Sequence, residues 1–344
     1  MAPVVMGVLA MPKWYVLGVC MLAGALASPA AAQTTLPPPD PEGTLGLSVE
    51  NDVLNGTDRN YTNGLLLTWR SPSADLPGPL AWIDRQLDLI QGPGRTRWGL
   101  AFGQSIFTPA DTEATIPDPN DRPYAGLLYG ALSLSRVTDT SLSVLELQAG
   151  MIGPSAGGKF VQNGFHSFIG TTSSNGWDYQ LNDEPVVALI LDRKWRVHLA
   201  GDENFAAELL PSATISVGNL ATYAGGGALF RIGRNLEADF GPPRIRPALA
   251  GSAFFQPQGD SFGWYLFAGA EARAVAVDVL LDGNTWSDSR SVDKRPLVAD
   301  LQAGVAVMWR GVRIALTQVW RTEEFYGQRG GMQQFGSLNV SFRF

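Results

Sequence analysis

The sequence predicts an all-β fold, a twelve-stranded antiparallel transmembrane β-barrel with a short helix in one outer loop. Three observations predict it. The N-terminus reads as an export signal, apolar and polar residues alternate strictly in about twelve segments, and the final segment ends on an aromatic residue.

The export signal comes first. Lys13 supplies a positive charge, Trp14 to Leu26 is apolar and uncharged, and Ser28-Pro29-Ala30-Ala31-Ala32 offers small residues before Gln33. That order is the n-region, h-region and cleavage site of a secretory signal, so residues 1–32 are expected to be a signal peptide and 33–43 a linker. A transmembrane helix is the competing reading, but the apolar run is short and ends in small residues and a proline. Met11 is a second candidate start. Cys20 follows Val19, where a lipoprotein acceptor wants a small residue. Cleavage removes Lys13 and the only cysteine, leaving 24 basic against 32 acidic residues, a net charge of −8. A cysteine-free chain forms no disulfides, and an acidic chain without a basic stripe argues against nucleic acid as a partner. After residue 33 no apolar run approaches the roughly 18 residues a membrane helix needs.

Segments of alternating residues then fill 44–344. The last is the clearest: Leu338, Val340, Phe342 and Phe344 alternate with Ser337, Asn339, Ser341 and Arg343. One face meets lipid and the other a polar lumen. The same period of two places Leu45, Leu47 and Val49 opposite Gly46, Ser48 and Glu50, and Leu301 to Trp309 opposite Asp300 to Ala306. Soluble sheets alternate as well; the number of segments argues for a barrel. They lie near 44–54, 60–71, 96–107, 121–136, 140–152, 184–198, 204–218, 221–234, 262–281, 296–309, 311–322 and 334–344. An even count closes an antiparallel barrel, and Trp69, Trp98 and Trp309 near strand ends fit an interfacial girdle.

Two stretches have helical spacing. Leu80, Ile83, Leu87 and Ile90 fall in a periplasmic connection. In 155–170, Val161, Phe165 and Phe168 form an apolar stripe, and Gln162 and His166 share a neighbouring face four residues apart. With strand one running outward, the segments 52–61, 108–121, 153–183, 282–295 and 323–333 are outer loops, and the polar motifs concentrate there. Strand parity turns Asp52 and Thr62 toward the lumen, where a site at one mouth could gather them, or where they simply make a polar lumen. Of the two histidines, His198 lies near a periplasmic turn, and His166 sits on the outer-loop helix beside an amide, a candidate general base.

Several motifs, in order, resemble the lipid A 3′-O-deacylase (LpxR) family. They are Glu50-Asn51-Asp52, Asp58 to Gly64, Asp121 to Gly126, Gly153-Pro154, Gln162 to His166, Gly176-Trp177-Asp178, Asn182 to Pro185, Asp239 to Pro247 and Asp282 to Thr285. The resemblance covers the chain from about residue 43. It implies an outer-membrane enzyme, expected to be a monomer, that hydrolyses the 3′-linked acyloxyacyl ester of lipid A (lipopolysaccharide) with calcium. Its site would lie between the barrel wall and an outer-loop helix. Carried over by position, His166 is the base and Asn51, Asp52 and Thr62 are the other catalytic residues. Asp52 and Thr62 would hold calcium, and Gln162, Tyr61 and Arg122 would position the substrate. Two positions depart from the family pattern. A glutamate six residues after the histidine is Thr172 here, for which Glu184 or Asp178 could compensate. A basic pair in the second outer loop is replaced by Asp111, Glu113, Asp118 and Asp121 before Arg122. Two further readings stand beside this one. An outer-membrane phospholipase would need a His then Asp-Ser-Asn-Gly motif, which is absent. A small porin or structural barrel would need an open lumen, or one that inward residues merely fill.

Overall fold

The computed structural model describes residues 36–52, 59–73, 76–91, 93–170, 172–202, 204–257 and 262–344. The predicted signal segment 1–32 lies outside them. Thirteen strands close into one antiparallel barrel. They are β1 (Thr44–Asn51), β2 (Asn60–Arg70), β3 (Arg95–Thr108), β4 (Ala125–Val137), β5 (Ser141–Ile152), β6 (Glu184–Trp195), β7 (Val197–Gly201), β8 (Ala206–Val217), β9 (Ala221–Arg234), β10 (Gly263–Asp278), β11 (Leu297–Trp309), β12 (Val312–Arg321) and β13 (Gln333–Arg343). β6 and β7 are two halves of one stave, since both pair with β8. The barrel therefore has the twelve staves expected. β1 pairs with both β2 and β13, so the last strand closes against the first.

Alternation holds along the wall. On β13, Leu338 and Phe342 are exposed while Ser337, Asn339 and Ser341 are buried. The polar face is inside because twelve staves enclose a lumen too narrow for much water, and the apolar face is outside because it meets lipid. Trp69 and Trp98 pack edge to face at 4.8 Å near the end of the barrel where β1 begins and β13 ends. The predicted helical connection at that end is α1 (Gly78–Gln91), tied to the wall by Arg136 Nη2 to Asp84 Oδ1 at 2.6 Å.

The lumen is not an open channel. Residues 235–257 leave β9 at the periplasmic end and turn up into the barrel, a feature the alternation pattern cannot indicate. Phe240, Leu249, Phe254 and Phe255 of this plug join Tyr265, Phe267 and Met308 of the wall in one apolar cluster. Buried ion pairs fasten it all round. Asp239 meets Arg231 of β9, and Arg313 of β12 at 2.7 Å. Arg244 meets Glu50 of β1 at 3.1 Å, and Arg246 meets Asp192 of β6 at 3.2 Å. Such pairs stabilise little over an apolar substitute, but losing one partner strands a buried charge. The inward Glu50, Arg70, Glu146, Gln148 and Asp300 thus fill the barrel, which argues against a porin. The linker closes the same end: Asp40 pairs with Arg97 at 2.6 Å and with Arg343 at 2.7 Å.

Candidate active site

The outer loop between β5 and β6 folds back onto the outside of the barrel. A 3-10 turn, Pro154–Ala156, leads through Gly157 into helix α2 (Gly158–Ile169). The outer-loop helix was expected, but its amphipathy is inverted. Gln162 and His166 are buried, at 3% and 5% exposure, whereas Val161, Phe165 and Phe168 are exposed. The polar face looks at the wall and the apolar face looks away. Glycine permits this close seat: a Cβ on Gly126 of β4 would lie 3.1 Å from the Gly158 nitrogen. Gln104 of β3 adds a hydrogen bond, its Nε2 donating to the Ala156 carbonyl at 2.7 Å.

Gln162, Asn163 and His166 of α2 are each held by a partner. Gly170, in the left-handed region at φ 74°, ends the helix by donating its N–H to the His166 carbonyl. The chain then reverses, and the Thr172 carbonyl lies 2.7 Å from His166 Nδ1. A carbonyl only accepts, so Nδ1 carries a proton. Asn163 and Ser174 fix this return by a reciprocal pair: the Asn163 amide donates to the Ser174 carbonyl at 3.2 Å, and the Ser174 N–H donates to Asn163 Oδ1 at 2.9 Å. Trp177, fully buried against Tyr124 at 4.9 Å, donates its indole N–H to Gln162 Oε1 at 2.9 Å. That bond fixes which end of the amide is oxygen.

Asn51, Asp52 and Thr62 form a second group, at the rim between β1 and β2. Asn51 stands opposite Asn63 in the register, and the Asp52 N–H donates to the Thr62 carbonyl at 3.4 Å. Asp52 is fully buried, and its Oδ2 accepts from the Arg59 N–H at 2.8 Å.

Strand parity misplaces Thr62. A bulge between Tyr61 and Asn63 shifts the register, because two residues there face one across the ladder. The Thr62 hydroxyl bonds the Thr108 hydroxyl at 2.8 Å. Thr108 shares the outer face of β3 with Gln104 and Ile106, which hold the loop and its Trp177. Thr62 therefore belongs to the α2 side of the wall, not the lumen.

Tyr61 and Arg122 are the converse, and their expected part in positioning substrate at that face is corrected. The bulge turns Tyr61 inward, where it packs on Phe107 and Phe335 at 5.3 and 5.1 Å. Arg122 is buried in the lumen, stacked 4.7 Å over Phe107 and paired with Glu324 at 3.3 Å.

The carboxylates that could compensate for Thr172 are engaged elsewhere. Glu184 accepts from the Thr285 N–H at 2.8 Å and from the Asn284 amide at 3.1 Å, clamping the loop after β10. Asp178 is exposed and pairs with Lys159 at 2.9 Å. Among the described residues no group of three or more His, Cys, Asp and Glu could hold a metal. The oxygen donors at the rim are one carboxylate, Asp52, with the Asn51 amide and the Thr62 and Thr108 hydroxyls. The acidic second loop is partly neutralised, since Asp118 pairs with Arg329. The Asn120 backbone N–H, with Arg329 and Arg290 nearby, holds the Asp118 carboxyl below its ordinary range.

Trp177, Thr108, Asn163 and Ser174 carry no role in the sequence reading. Trp177 lies in one of the motifs, but its partner is fifteen residues away across a loop; Thr108 is identified only by strand register.

The chain matches the family model described as outer membrane protein LpxR over residues 17–344. The solved structure of LpxR from Salmonella typhimurium is similar with a TM-score of 0.72 at 22% identity, covering 88% of this chain and 100% of that one. At that identity the likeness is one of fold. The β-domain of the Bordetella autotransporter BrkA covers 89% of this chain and 100% of its own at 12% identity, with a TM-score of 0.45. No curated protein matches the chain.

Proposed function

Since the chain belongs to the LpxR family of outer-membrane proteins, we propose that it is a lipid A 3′-O-deacylase. It would release the 3′-linked acyloxyacyl group by ester hydrolysis, after export directed by the N-terminal signal. The observation that carries this reading is the polar, wall-facing side of α2, where a buried histidine has its tautomer set by the Thr172 carbonyl. With Nδ1 donating to that carbonyl, Nε2 is the nitrogen that would act as the general base.

In the proposed reaction His166 Nε2 takes a proton from water as the oxygen attacks the ester carbonyl. The tetrahedral intermediate collapses, the bond from carbonyl carbon to sugar oxygen breaks, and His166 returns the proton to the leaving 3′-oxygen. The products are a free acyloxyacyl acid and a 3′-hydroxyl. Trp177 holds the Gln162 oxygen, so the Gln162 NH₂ is the donor end, suited to the developing oxyanion. The Asn51 amide would donate to the substrate from the rim. The Thr172 carbonyl stabilises the imidazolium as it forms, a part that a carboxylate would otherwise play.

The rim fits a hard cation in donor type, being all oxygen with one buried carboxylate. Asp52 and Thr62 would hold calcium, and water or substrate oxygens would complete its shell. Calcium there would supply Lewis-acid polarisation of the ester carbonyl.

The test is a mass spectrum of lipid A from a Gram-negative host expressing the protein. Loss of an acyloxyacyl mass by the wild type, absent with His166→Ala and absent in EDTA, is the expected result. Unchanged lipid A in a host whose barrel is folded, as read by heat-modifiable migration, overturns the deacylase; loss that persists in EDTA overturns calcium alone.

A further inference from the structure

The inverted helix has a consequence for where the outer leaflet lies. Four large apolar side chains cover the outward face of α2: Phe160 is 83% exposed, Phe168 86%, Phe165 45% and Val161 36%. In water this is an unfavourable surface, because large apolar side chains gain by leaving water. No other described part of the chain covers it.

Its position on the wall indicates what does. The outward residues of β4 run Gly126, Leu128, Gly130, Leu132, and those of β3 run Leu100, Phe102, Gln104, Ile106. The lower members, Phe102 at 57% and Leu132 at 37% exposure, belong to the lipid-facing band. The upper members carry the α2 loop: Gly126 meets Gly158, and Gln104 bonds Ala156. Two residues of strand advance about 7 Å. Helix α2 is thus seated within one or two such steps of residues that face acyl chains, on the same outer face, and its aromatic side continues their apolar surface.

We infer that α2 is an interfacial helix whose Phe160, Val161, Phe165 and Phe168 insert among the acyl chains of the outer leaflet. Its polar side, with Gln162 and His166, then faces the wall just above that layer. An amphipathic helix lying in the interface plane behaves this way, buried about 5–10 Å into the boundary of headgroups and chains. The inference rests on the membrane placement of the barrel and not on the deacylase reading. If both hold, the scissile ester reaches His166 from the chain side, without leaving the leaflet.

Because the cleaved chain is expected to lack cysteine, single thiols can be placed at will. The experiment labels Phe168→Cys and Phe160→Cys with an environment-sensitive fluorophore in the full-length barrel, reconstituted in phosphatidylcholine vesicles. Ser287→Cys, on an exposed stretch of another outer loop, is the aqueous reference. Quenching at 160 and 168 by doxyl-chain lipids but not by iodide, with the reverse at 287, is the expected result. Iodide quenching at 160 and 168 equal to that at 287 overturns the insertion, whatever the enzyme does. A second measurement uses Phe160→Ser with Phe168→Ser, whose exposed positions leave the barrel intact. Deacylation of lipid A in vesicles should fall about tenfold or more while the same substrate in detergent micelles is little affected; equal rates in both would overturn a role for the face in substrate capture.

Discussion

The seat of α2 on the wall can be tested with a single methyl group. In Gly158→Ala the new Cβ would lie 2.6 Å from Trp177 Cη2, 2.9 Å from Cζ3 and 3.1 Å from the Gly126 Cα. Neither neighbour yields easily, because Trp177 is fully buried and Gly126 is strand backbone. Ordinary carbon contacts are about 3.5–4 Å, so the helix must lift by about 1 Å. Overpacking of this kind costs roughly 1–3 kcal/mol, charged here to the loop rather than to the barrel. Gln162 and His166 lie one and two turns further along the same face and move with it. A displacement of about 1 Å in catalytic geometry lowers rates by roughly a hundredfold. The assay is the time course of lipid A deacylation by mass spectrometry, with heat-modifiable migration as the control for barrel folding. A folded Gly158→Ala barrel with wild-type rate would refute the argument, since the helix would then be active without its close seat. Gly126→Ala meets its nearest atom at 3.1 Å and should show the same effect more weakly.

Thr172→Val should keep activity within about threefold, because the group that sets the His166 tautomer is the backbone carbonyl; a large loss would show that the side chain takes part. Trp177→Phe keeps the ring packing but removes the N–H that Gln162 accepts. It should lower the deacylation rate by about tenfold, in line with roughly 1–3 kcal/mol for a buried group left without its partner, with little change in heat-modifiable migration. Asp239→Ala leaves Arg313 buried without a carboxylate and Arg231 with Glu208 alone, and should destabilise the barrel by about 3–5 kcal/mol, read as a lower urea midpoint for unfolding in detergent. Asp118 has a lowered carboxyl pKa, held first by the Asn120 N–H. Its tie to Arg329 is therefore in force above the ordinary carboxylate range and is lost only as pH falls through the lowered folded value. Proteolysis of the second outer loop should be flat from neutral to mildly acidic pH and rise below that; a rise near neutrality would contradict it.

Much of the architecture could be read residue by residue. The period-two pattern ending in Leu338, Val340 and Phe342 reports a surface that meets lipid on one side, and every expected stave is present. The outer-loop helix with Gln162 and His166 on one face also follows from spacing. Strand parity does not hold at Thr62, because one extra residue in β2 reverses which side chain enters the lumen. The family resemblance put Tyr61 and Arg122 beside the substrate, but nearness in a motif says nothing of which side of a wall a residue occupies. The plug was invisible because residues 235–257 have no period, and their ion pairs join strands far apart in sequence.

What the amino-acid sequence determined by itself was local and periodic: strand count, alternation, the helix and the chemical kinds of side chain available. These follow from interactions between near neighbours and from the contrast between lipid and water. The three-dimensional packing set which face of the wall each polar group joined. It also decided that α2 turns its polar side inward, that Thr172 serves through its carbonyl, and that Glu184 is already engaged by Thr285 and Asn284. Those outcomes depend on a bulge, on a contact between Gly126 and Gly158, and on partners brought together by barrel closure. None of them exists until distant segments meet.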